Sequence, residues 1–506
     1  MDAWLRAFSR AGAAASARPV RRACTLHGVT TSARTTQPRP DRPHPPSVER
    51  VLGLVRPEAD VTEPAALTAA ARAVVDAERV RLDAGAAPLS DGELADAVLA
   101  RLDGFADPSS VLPPHVINAT GVVLHTNLGR APWPRAARLA AAQAAATYGY
   151  LELDEVTGRR GARFRAAADH LVALTGAEDA LVVGNTAAAL LLACGLVGRR
   201  AGIAVSRGEL VEIGGGVRIP EMVARAGARL VEVGTTNRTR AADFEAALAD
   251  GRASAVLRVH PSNFAMSGFT ESAELAPVAE VAHAHGAVVI DDLGSGALLD
   301  TAAFGLAHEP TPMERLAAGA DVVMFSGDKL VGGPQAGLIV GRRDLVERMR
   351  RDPLARAVRP DKAILAGVAA TLGLYRAGRA AAEIPVWQTI SAPADALRER
   401  AELVAGLVAT ESAGAGGGTP GVDADAVAVV ALESPVGGGS LPGQVLLSFG
   451  LRVRVASPSR AAAALRKGPD RILARVEDDA LVLDLRTVRR VDDPAVARRI
   501  AGVLRR

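Results

Sequence analysis

The sequence predicts an α/β enzyme whose large domain is a mainly parallel sheet with helices on both faces. Between about Val116 and Arg376, short β-rich runs alternate with Ala-rich helical stretches, a pattern typical of a parallel sheet buried on both sides. Most of these runs end in Gly, Ser, Thr, Asn or Asp. Because ligands bind beyond the carboxyl ends of parallel strands, we expect the functional residues there. The predicted strands are Ala180–Val183, Gly202–Ser206, Leu230–Val233, Ala255–Val259, Ala287–Ile290, Val322–Phe325 and Leu338–Val340.

The chain has 506 residues, too many for one hydrophobic core, so further domains are expected. Residues 1–45 are rich in Arg, Ala, Ser, Thr and Pro without apolar periodicity, which predicts a disordered extension; the same composition also fits a transit peptide. Residues 46–115 follow a helical pattern, with a capping signal at Ser90 and Glu93. The large domain spans residues 116–376. The sequence pattern of residues 377–506 predicts a smaller α+β domain with long Gly-rich surface loops, including Gly437–Gly439.

Composition excludes several classes of protein. The net charge of +3 is small for this length, which argues against a protein coated in nucleic acid but allows a local basic surface. The two cysteines, Cys24 and Cys194, lie far apart without metal-ligand spacing, so we expect neither a disulfide framework nor a metal site, and a cytoplasmic location. No apolar run reaches the roughly 18 residues that a membrane span needs.

Lysine occurs only at Lys329, Lys362 and Lys467, whereas arginine is abundant. A Schiff base needs a primary amine that can lose its proton, which a guanidinium group cannot supply. Lys329 follows a predicted strand in a Gly-rich segment, three residues after Ser326. A hydroxyl there can bind a phosphate while the amine reaches an aldehyde, as pyridoxal phosphate requires. A surface lysine is the alternative, and a P-loop is excluded because no G-x-x-x-x-G-K-[ST] occurs.

Two further segments fit the same cofactor. Asp291 and Asp292 end an apolar run, and a carboxylate at the pyridine nitrogen keeps that nitrogen protonated, so the ring can store negative charge. We favour Asp292 for this role, and the other aspartate can instead cap a turn. Asn185 and Thr186 begin an Ala-rich helix, whose N-terminus suits the cofactor phosphate. An ordinary strand-to-helix turn is the alternative, and no G-x-G-x-x-G supports a nicotinamide site.

Two arginine-bearing segments predict an anionic substrate. Asn127–Arg130 precedes the sheet, and Pro353–Pro360 follows the lysine segment. Arginine side chains bind phosphate-like oxyanions through two parallel hydrogen bonds. Because arginine is common throughout this chain, each of these residues also fits a solvated surface position.

Together, these segments resemble the bacterial selenocysteine synthase family, the L-seryl-tRNA(Sec) selenium transferases. The resemblance runs from about Ser47 to the C-terminus and leaves residues 1–45 outside. It departs from the family's usual pattern at Gly184–Thr186, where Asn-Asn-Asn is more common, and at Gly216–Val217, where Ser-Phe is usual. The matching stretches are Val116–Arg130, Gly158–Gly161, Ser206–Gly215, Glu232–Thr239, Asp292–Gly296, Phe325–Gly337 and Asp484–Val488.

The resemblance implies a fold-type-I pyridoxal-phosphate enzyme that forms a ring-shaped homodecamer, a pentamer of dimers. It implies that the N-terminal helical domain binds tRNA(Sec), that Lys329 carries the cofactor, and that Asp328 lies near the chemistry. The other implied residues are Arg130, Arg356 and Arg359 around selenophosphate, and Thr235 and Thr236 at the subunit contact that holds the ring together.

The implied reaction converts L-seryl-tRNA(Sec) to L-selenocysteinyl-tRNA(Sec) with selenophosphate. The seryl amino group displaces Lys329 to form an aldimine, and the freed amine removes the α-proton. Loss of the β-hydroxyl then leaves a dehydroalanyl intermediate that takes up selenium. One alternative is a related lyase for a small phosphorylated amino acid, which would give the helical domain no task. Another is a tRNA-binding scaffold with a vestigial pocket, which the Ser326 and Lys329 pair argues against.

Overall fold

The computed structural model describes residues 44–505, except 57–62, 108–111, 162, 214–215, 262–263, 265 and 414–425. The chain divides into two compact units, of which one ends at Pro113 and the other begins at Pro114. Within the described ranges, no helix combines the length and the apolar character that a membrane crossing requires.

The described residues of the N-terminal unit form three helices with a hydrophobic core of their own, to which all three contribute. Ser90 caps the third helix as predicted, because its hydroxyl accepts from the Glu93 N–H and the Glu93 carboxylate accepts from the Ser90 N–H. The predicted helical N-terminal region is therefore confirmed. The helices are α1 (Val48–Val55), α2 (Pro64–Asp83) and α3 (Asp91–Ala106).

The larger unit alternates strands and helices along most of its length. Its strands are β1 (Val116–Asn118), β2 (Asp179–Val183), β3 (Gly202–Ser206), β4 (Glu212–Ile213), β5 (Val217–Arg218), β6 (Arg229–Val233), β7 (Ala255–Val259), β8 (Val288–Gly294), β9 (Val322–Ser326), β10 (Gly337–Gly341), β11 (Val427–Pro435), β12 (Val445–Val453), β13 (Arg471–Leu473), β14 (Arg475–Glu477) and β15 (Ala480–Asp484). Its helices are α4 (Arg135–Ala146), α5 (Ala166–Thr175), α6 (Thr186–Gly195), α7 (Ile219–Arg225), α8 (Ala241–Ala249), α9 (Leu275–Ala284), α10 (Pro312–Ala317), α11 (Arg343–Arg351), α12 (Pro353–Ala357), α13 (Lys362–Arg376), α14 (Ala380–Glu383), α15 (Pro385–Ser391), α16 (Ala394–Ala413), α17 (Pro458–Leu465) and α18 (Asp493–Leu504).

A seven-stranded sheet forms the centre of this unit, in the order β2-β10-β9-β8-β7-β3-β6. Strand β10 is antiparallel to both of its neighbours, and the other pairs are parallel. Each of the seven strands matches a run predicted from the sequence. The predicted α/β fold with a mainly parallel sheet is therefore confirmed.

Both faces of the sheet are buried, as its near-continuous apolar strands predict. Successive residues of β9 alternate between two hydrophobic cores: Val322 and Met324 lie in one, and Val323 and Phe325 in the other. Because neither face is open, polar residues gather at the strand ends.

The C-terminal part contains an antiparallel sheet in the order β11-β12-β15-β14, which confirms the predicted α+β domain. Strand β1 pairs with β13, and Ile117 and Ala119 lie in the core of this domain. The sequence-based division had placed this strand in the large domain. The chain therefore leaves the C-terminal domain core just before it reaches Arg130.

Candidate active site

Lys329 lies in the connection between β9 and β10. The two strands are antiparallel, and their register pairs Ser326 with Gly337. The Gly327 N–H donates to the carbonyl of Ala336 at 2.9 Å, which closes the base of the connection. Lys329 therefore projects from a short, hydrogen-bonded segment at the carboxyl end of a buried strand, where the sequence placed it.

The Lys329 amine is set up to lose its proton. Burial lowers its pKa, and the negative charge of Asp292 opposes that shift. The amine donates to the carbonyl of Gly439 at 3.2 Å. Lys362 is different, since its amine donates to the carbonyl of Thr147 at an exposed position. Of these two lysines, only Lys329 has the buried environment that imine chemistry requires.

The two neighbouring aspartates on β8 have different hydrogen-bond partners. Both oxygens of Asp291 accept from the Arg315 guanidinium, at 2.7 and 2.9 Å. Asp292 is also buried, but its Oδ1 has no hydrogen-bond partner among the described residues. Burial raises the pKa of Asp292 to about 7, an effect that Lys329 opposes and Asp291 increases. Asp292 is therefore the aspartate with an oxygen available to a ligand.

A helix N-terminus lies beyond the end of β2. The side chain of Asn185 accepts from the Ala188 N–H at 2.9 Å and caps α6. The adjacent Thr186 hydroxyl is buried without a partner in the described chain. Free N–H groups, the helix dipole and an unpaired hydroxyl together favour a bound phosphate.

These residues fit pyridoxal phosphate. Buried polar atoms are normally hydrogen-bonded, so the unpaired Oδ1 of Asp292 and Oγ1 of Thr186 indicate a ligand with a donor at one end and acceptors at the other. Lys329 follows β9, which lies next to β8 and is separated from β2 by β10 alone. The amine is thus available between the two ends of such a ligand.

The Ser326 hydroxyl donates to Oδ1 of Asp328 at 2.7 Å. Its predicted contact with the cofactor phosphate stays a prediction. The other oxygen of Asp328 accepts from Arg130 at 2.9 Å. Ser326 therefore belongs to a hydrogen-bonded chain that ends at Arg130.

Arg130 and Arg359 line one cavity of about 680 Å³ together with Asp328. Arg359 also pairs with Glu152 at 2.7 Å. Arg356 does not line this cavity. It borders a neighbouring cavity of about 390 Å³, which Arg359 also lines. The structure thus brings two of the three predicted arginines together and places the third beside them.

The backbone at Arg130 is unusual. Its φ of 62° is left-handed, an uncommon conformation for a residue other than glycine. The Arg130 N–H donates to the carbonyl of His125, and the Ala131 N–H donates to the carbonyl of Asp328 at 3.2 Å. These bonds hold the segment against the lysine connection, so that the Arg130 guanidinium reaches Asp328.

Thr235 and Thr236 lie away from this site. Both are exposed, and the Thr235 hydroxyl donates to the carbonyl of Arg238 at 3.0 Å. Thr236 lines a separate surface cavity with Phe264 and Met266. Their role at a subunit contact stays a prediction.

Sequence reasoning missed the role of the Gly437–Gly439 loop, which it placed on the surface. This loop comes from the C-terminal domain, and its last carbonyl accepts from Lys329. All three glycines have positive φ, at 73°, 56° and 79°, which is accessible to glycine without strain. The run of three glycines was the available signal, because such runs allow two backbones to approach closely.

Replacing Gly438 with Ala should displace this loop. A Cβ at residue 438 would lie 2.3 Å from the carbonyl oxygen of Leu124, so the loop would have to move away from Lys329. Misplacement on this scale at an active site can cost about 10²-fold in turnover. Gly443→Ala is the control, since residue 443 also has positive φ but open space around its Cβ. Turnover by Gly438→Ala equal to that of the control would contradict a role for the loop.

Comparison with known proteins gives a consistent result. The family model described as L-seryl-tRNA selenium transferase matches residues 116–489. The L-seryl-tRNA(Sec) selenium transferase of Moorella thermoacetica is 45% identical over 437 residues, which cover 86% of this chain and 90% of that protein. The protein of the same name from Rhizobium meliloti is 45% identical over 448 residues, covering 87% and 93%.

The fold is also found among solved structures. D-glucosaminate-6-phosphate ammonia-lyase aligns over 78% of this chain and 96% of its own, with 20% sequence identity and a TM-score of 0.52. At this identity the likeness concerns the fold alone.

Proposed function

The chain belongs to the L-seryl-tRNA selenium transferase family, and we propose that it converts L-seryl-tRNA(Sec) to L-selenocysteinyl-tRNA(Sec) with selenophosphate as the selenium donor. The observation that carries the proposal is the buried Lys329 amine together with the unpaired Oδ1 of Asp292. The cofactor is pyridoxal 5'-phosphate, which supplies an electron sink for the charge left when a proton leaves the substrate's α-carbon.

Each cofactor-site residue has a distinct task in this proposal. Lys329 holds the cofactor and, once released from it, removes the proton from the seryl α-carbon, since its lowered pKa makes the amine available as a base. Asp292 accepts the ring N–H through its unpaired Oδ1. Thr186, Asn185 and the N-terminus of α6 bind the phosphate group. The buried apolar surroundings exclude water, which strengthens these electrostatic contacts.

The cavity beside Asp328 is proposed to bind the selenium donor. Selenophosphate is an oxyanion, and the two arginines Arg130 and Arg359 line this cavity. Asp328 and Ser326 position Arg130, since their side chains form a continuous hydrogen-bonded chain to it. Arg356 lies in the adjoining cavity, and we assign it to the same donor because of the family resemblance.

Replacing Arg130 or Arg359 with Gln should raise the KM for selenophosphate and leave the cofactor absorbance unchanged. Loss of a hydrogen bond to a charged group costs about 1.5–3 kcal/mol, which predicts an increase of about 10- to 100-fold. Arg252→Gln is the control, because Arg252 is exposed, pairs with Asp250 at 3.3 Å and lines neither cavity. Arg356→Gln tests whether the neighbouring cavity takes part. A lost cofactor absorbance in the Arg130 or Arg359 variant would place that arginine on the cofactor instead.

We also propose a homodecamer, a pentamer of dimers, with Thr235 and Thr236 at the contact that holds the ring together. The exposure of both side chains supports this assignment. The cytoplasm is the proposed location, since the tRNA substrate is used there in protein synthesis. The N-terminal helical unit is proposed to bind tRNA(Sec).

The test of this function is a comparison of substrates. Purified protein with pyridoxal phosphate would be given seryl-tRNA(Sec), free L-serine or D-glucosaminate 6-phosphate, and consumption of each would be measured. We expect seryl-tRNA(Sec) alone to be consumed at an appreciable rate, because binding of the distant tRNA body positions the seryl group. Rapid ammonia release from the phosphorylated sugar would favour the alternative, a lyase for a small phosphorylated amino compound.

A further inference from the structure

His260 lies at the same edge of the sheet as the proposed cofactor site. It follows directly after β7, and its N–H donates to the backbone carbonyl of Asp292 at 2.9 Å. Strand β7 is the neighbour of β8 on the side away from β9. His260 therefore lies just beyond β7, the strand that neighbours β8, and β8 carries Asp292.

Glu309 approaches His260 from a different part of the chain. It lies before α10 and is almost fully buried, with 3% of its surface exposed. Its backbone N–H donates to the Thr301 hydroxyl at 2.8 Å. One carboxylate oxygen, Oε1, lies 3.8 Å from Nδ1 of His260, and neither atom has a hydrogen-bond partner among the described residues.

The charges around His260 come from several elements. Burial lowers the pKa of His260, Glu309 and Asp291 oppose this shift, and Arg315 and Lys329 add to it. Arg315 already binds both oxygens of Asp291. Glu309 is thus the neighbouring carboxylate that remains available to the imidazole.

A purely structural pair would be expected to be hydrogen-bonded, because an unpaired buried polar atom costs about 1–3 kcal/mol. Here two facing atoms are buried and unpaired at a separation slightly too long for a hydrogen bond. Such contacts in active sites are often long without ligand and shorten when the ligand binds. The geometry therefore indicates a pair that is completed by a bound group.

Strand order identifies the part of the cofactor that His260 faces. The phosphate site lies beyond β2, Lys329 follows β9, Asp292 is on β8, and β7 lies farthest from the phosphate. With the phosphate towards β2 and the ring nitrogen at Asp292, the ring edge that carries the phenolic oxygen is directed towards β7. This edge is the one nearest to His260.

We propose that His260, as an imidazolium between two negative groups, donates from Nε2 to the phenolic oxygen of pyridoxal phosphate, and that the Glu309 carboxylate positions the ring by accepting from Nδ1. The inference rests on the proposed cofactor site at Lys329. His260 contacts the cofactor, whereas Glu309 acts through His260 and is a positioning residue.

The test measures cofactor absorbance against pH, together with the Kd for pyridoxal phosphate. A donor to the phenolic oxygen stabilises its negative charge, so without this donor the linkage at Lys329 should keep its proton to higher pH. His260→Ala should move the absorbance midpoint upwards by about one pH unit and weaken binding about tenfold. Glu309→Gln should give a smaller shift in the same direction. His283→Asn is the control, since His283 pairs with Asp321 at 3.0 Å outside this site.

An unchanged midpoint and Kd in His260→Ala, relative to the His283 control, would overturn the inference. A shift in His260→Ala with none in Glu309→Gln would remove the positioning role of Glu309. If Glu309→Gln does not fold, Glu309→Asp replaces it, because the shorter carboxylate retains the charge and should reproduce the shift in part. If the wild-type protein has no cofactor absorbance, the proposed cofactor site at Lys329 is wrong. This result differs from failure of the His260 inference, in which the wild-type absorbance is present.

Discussion

Replacing Lys329 with Ala is expected to abolish both the covalent attachment of pyridoxal phosphate and turnover. The Lys329 amine bonds the cofactor and is also the base that removes the α-proton. A positioned base alone contributes about 10²–10⁴-fold to the rate. We therefore expect turnover to fall by at least about 10⁴-fold. The variant should still fold, since Lys329 makes one side-chain hydrogen bond, to Gly439.

The two other lysines provide matched controls. Lys362→Ala and Lys467→Ala should keep full absorbance and turnover, because neither residue lines the cavity beside Asp328. Borohydride reduction of the wild-type protein, followed by peptide mapping, should place the cofactor on Lys329. Label on Lys362 or Lys467 would overturn the assignment.

Removing the N-terminal helical unit is expected to weaken tRNA binding and to leave the cofactor site intact. Lys329, Asp292 and Thr186 all lie in the unit that begins at Pro114. The helical unit has a separate hydrophobic core. A chain of residues 114–506 should therefore retain the cofactor absorbance while binding seryl-tRNA(Sec) at least about tenfold more weakly, a change of about 1.4 kcal/mol.

The charges of the two N-terminal segments predict how salt should affect tRNA binding. Residues 47–113 contain twelve acidic residues and six arginines, whereas residues 1–46 contain eight arginines and two aspartates. Contacts to phosphates make binding fall with salt. The acidic helical unit should therefore recognise tRNA by shape and hydrogen bonds, with little effect on the salt dependence.

The decisive comparison is between residues 47–506 and residues 114–506, since both lack the basic N-terminal segment. We expect different affinities but similar salt slopes for these two chains. Equal affinity at matched salt would show that the helical unit does not bind the tRNA, and a much smaller slope for the shorter chain would show that phosphate contacts were lost. Residues 47–506 should match the full chain in turnover.

The central sheet could be predicted from the sequence because its strands are mostly apolar runs that are bounded by polar residues or glycine. The pairing of β1 with β13 could not be predicted from the sequence. Both strands are three residues long, and their contact joins segments far apart in the chain, so no local pattern reports it. For the same reason the sequence could not show that Val116 packs with the C-terminal domain.

The cofactor residues Lys329, Asp292 and Thr186 could be predicted because each lies near the carboxyl end of a strand, where parallel sheets place their ligands. The hydrogen bond from Ser326 to Asp328 could not be predicted, because a hydroxyl can donate equally well to a phosphate or to a carboxylate. His260 and Glu309 carried no signal, since a single histidine or glutamate in a loop is common and their proximity arises only from tertiary packing.

The most direct test of the account is selenium transfer itself. The full-length protein with pyridoxal phosphate would be incubated with seryl-tRNA(Sec) and selenophosphate containing radioactive selenium, and the amino acid released from the tRNA would be identified. We expect labelled selenocysteine in an amount equal to the serine lost, and none with Lys329→Ala. Loss of serine without selenium on the tRNA, or no reaction by the wild-type protein, would contradict it.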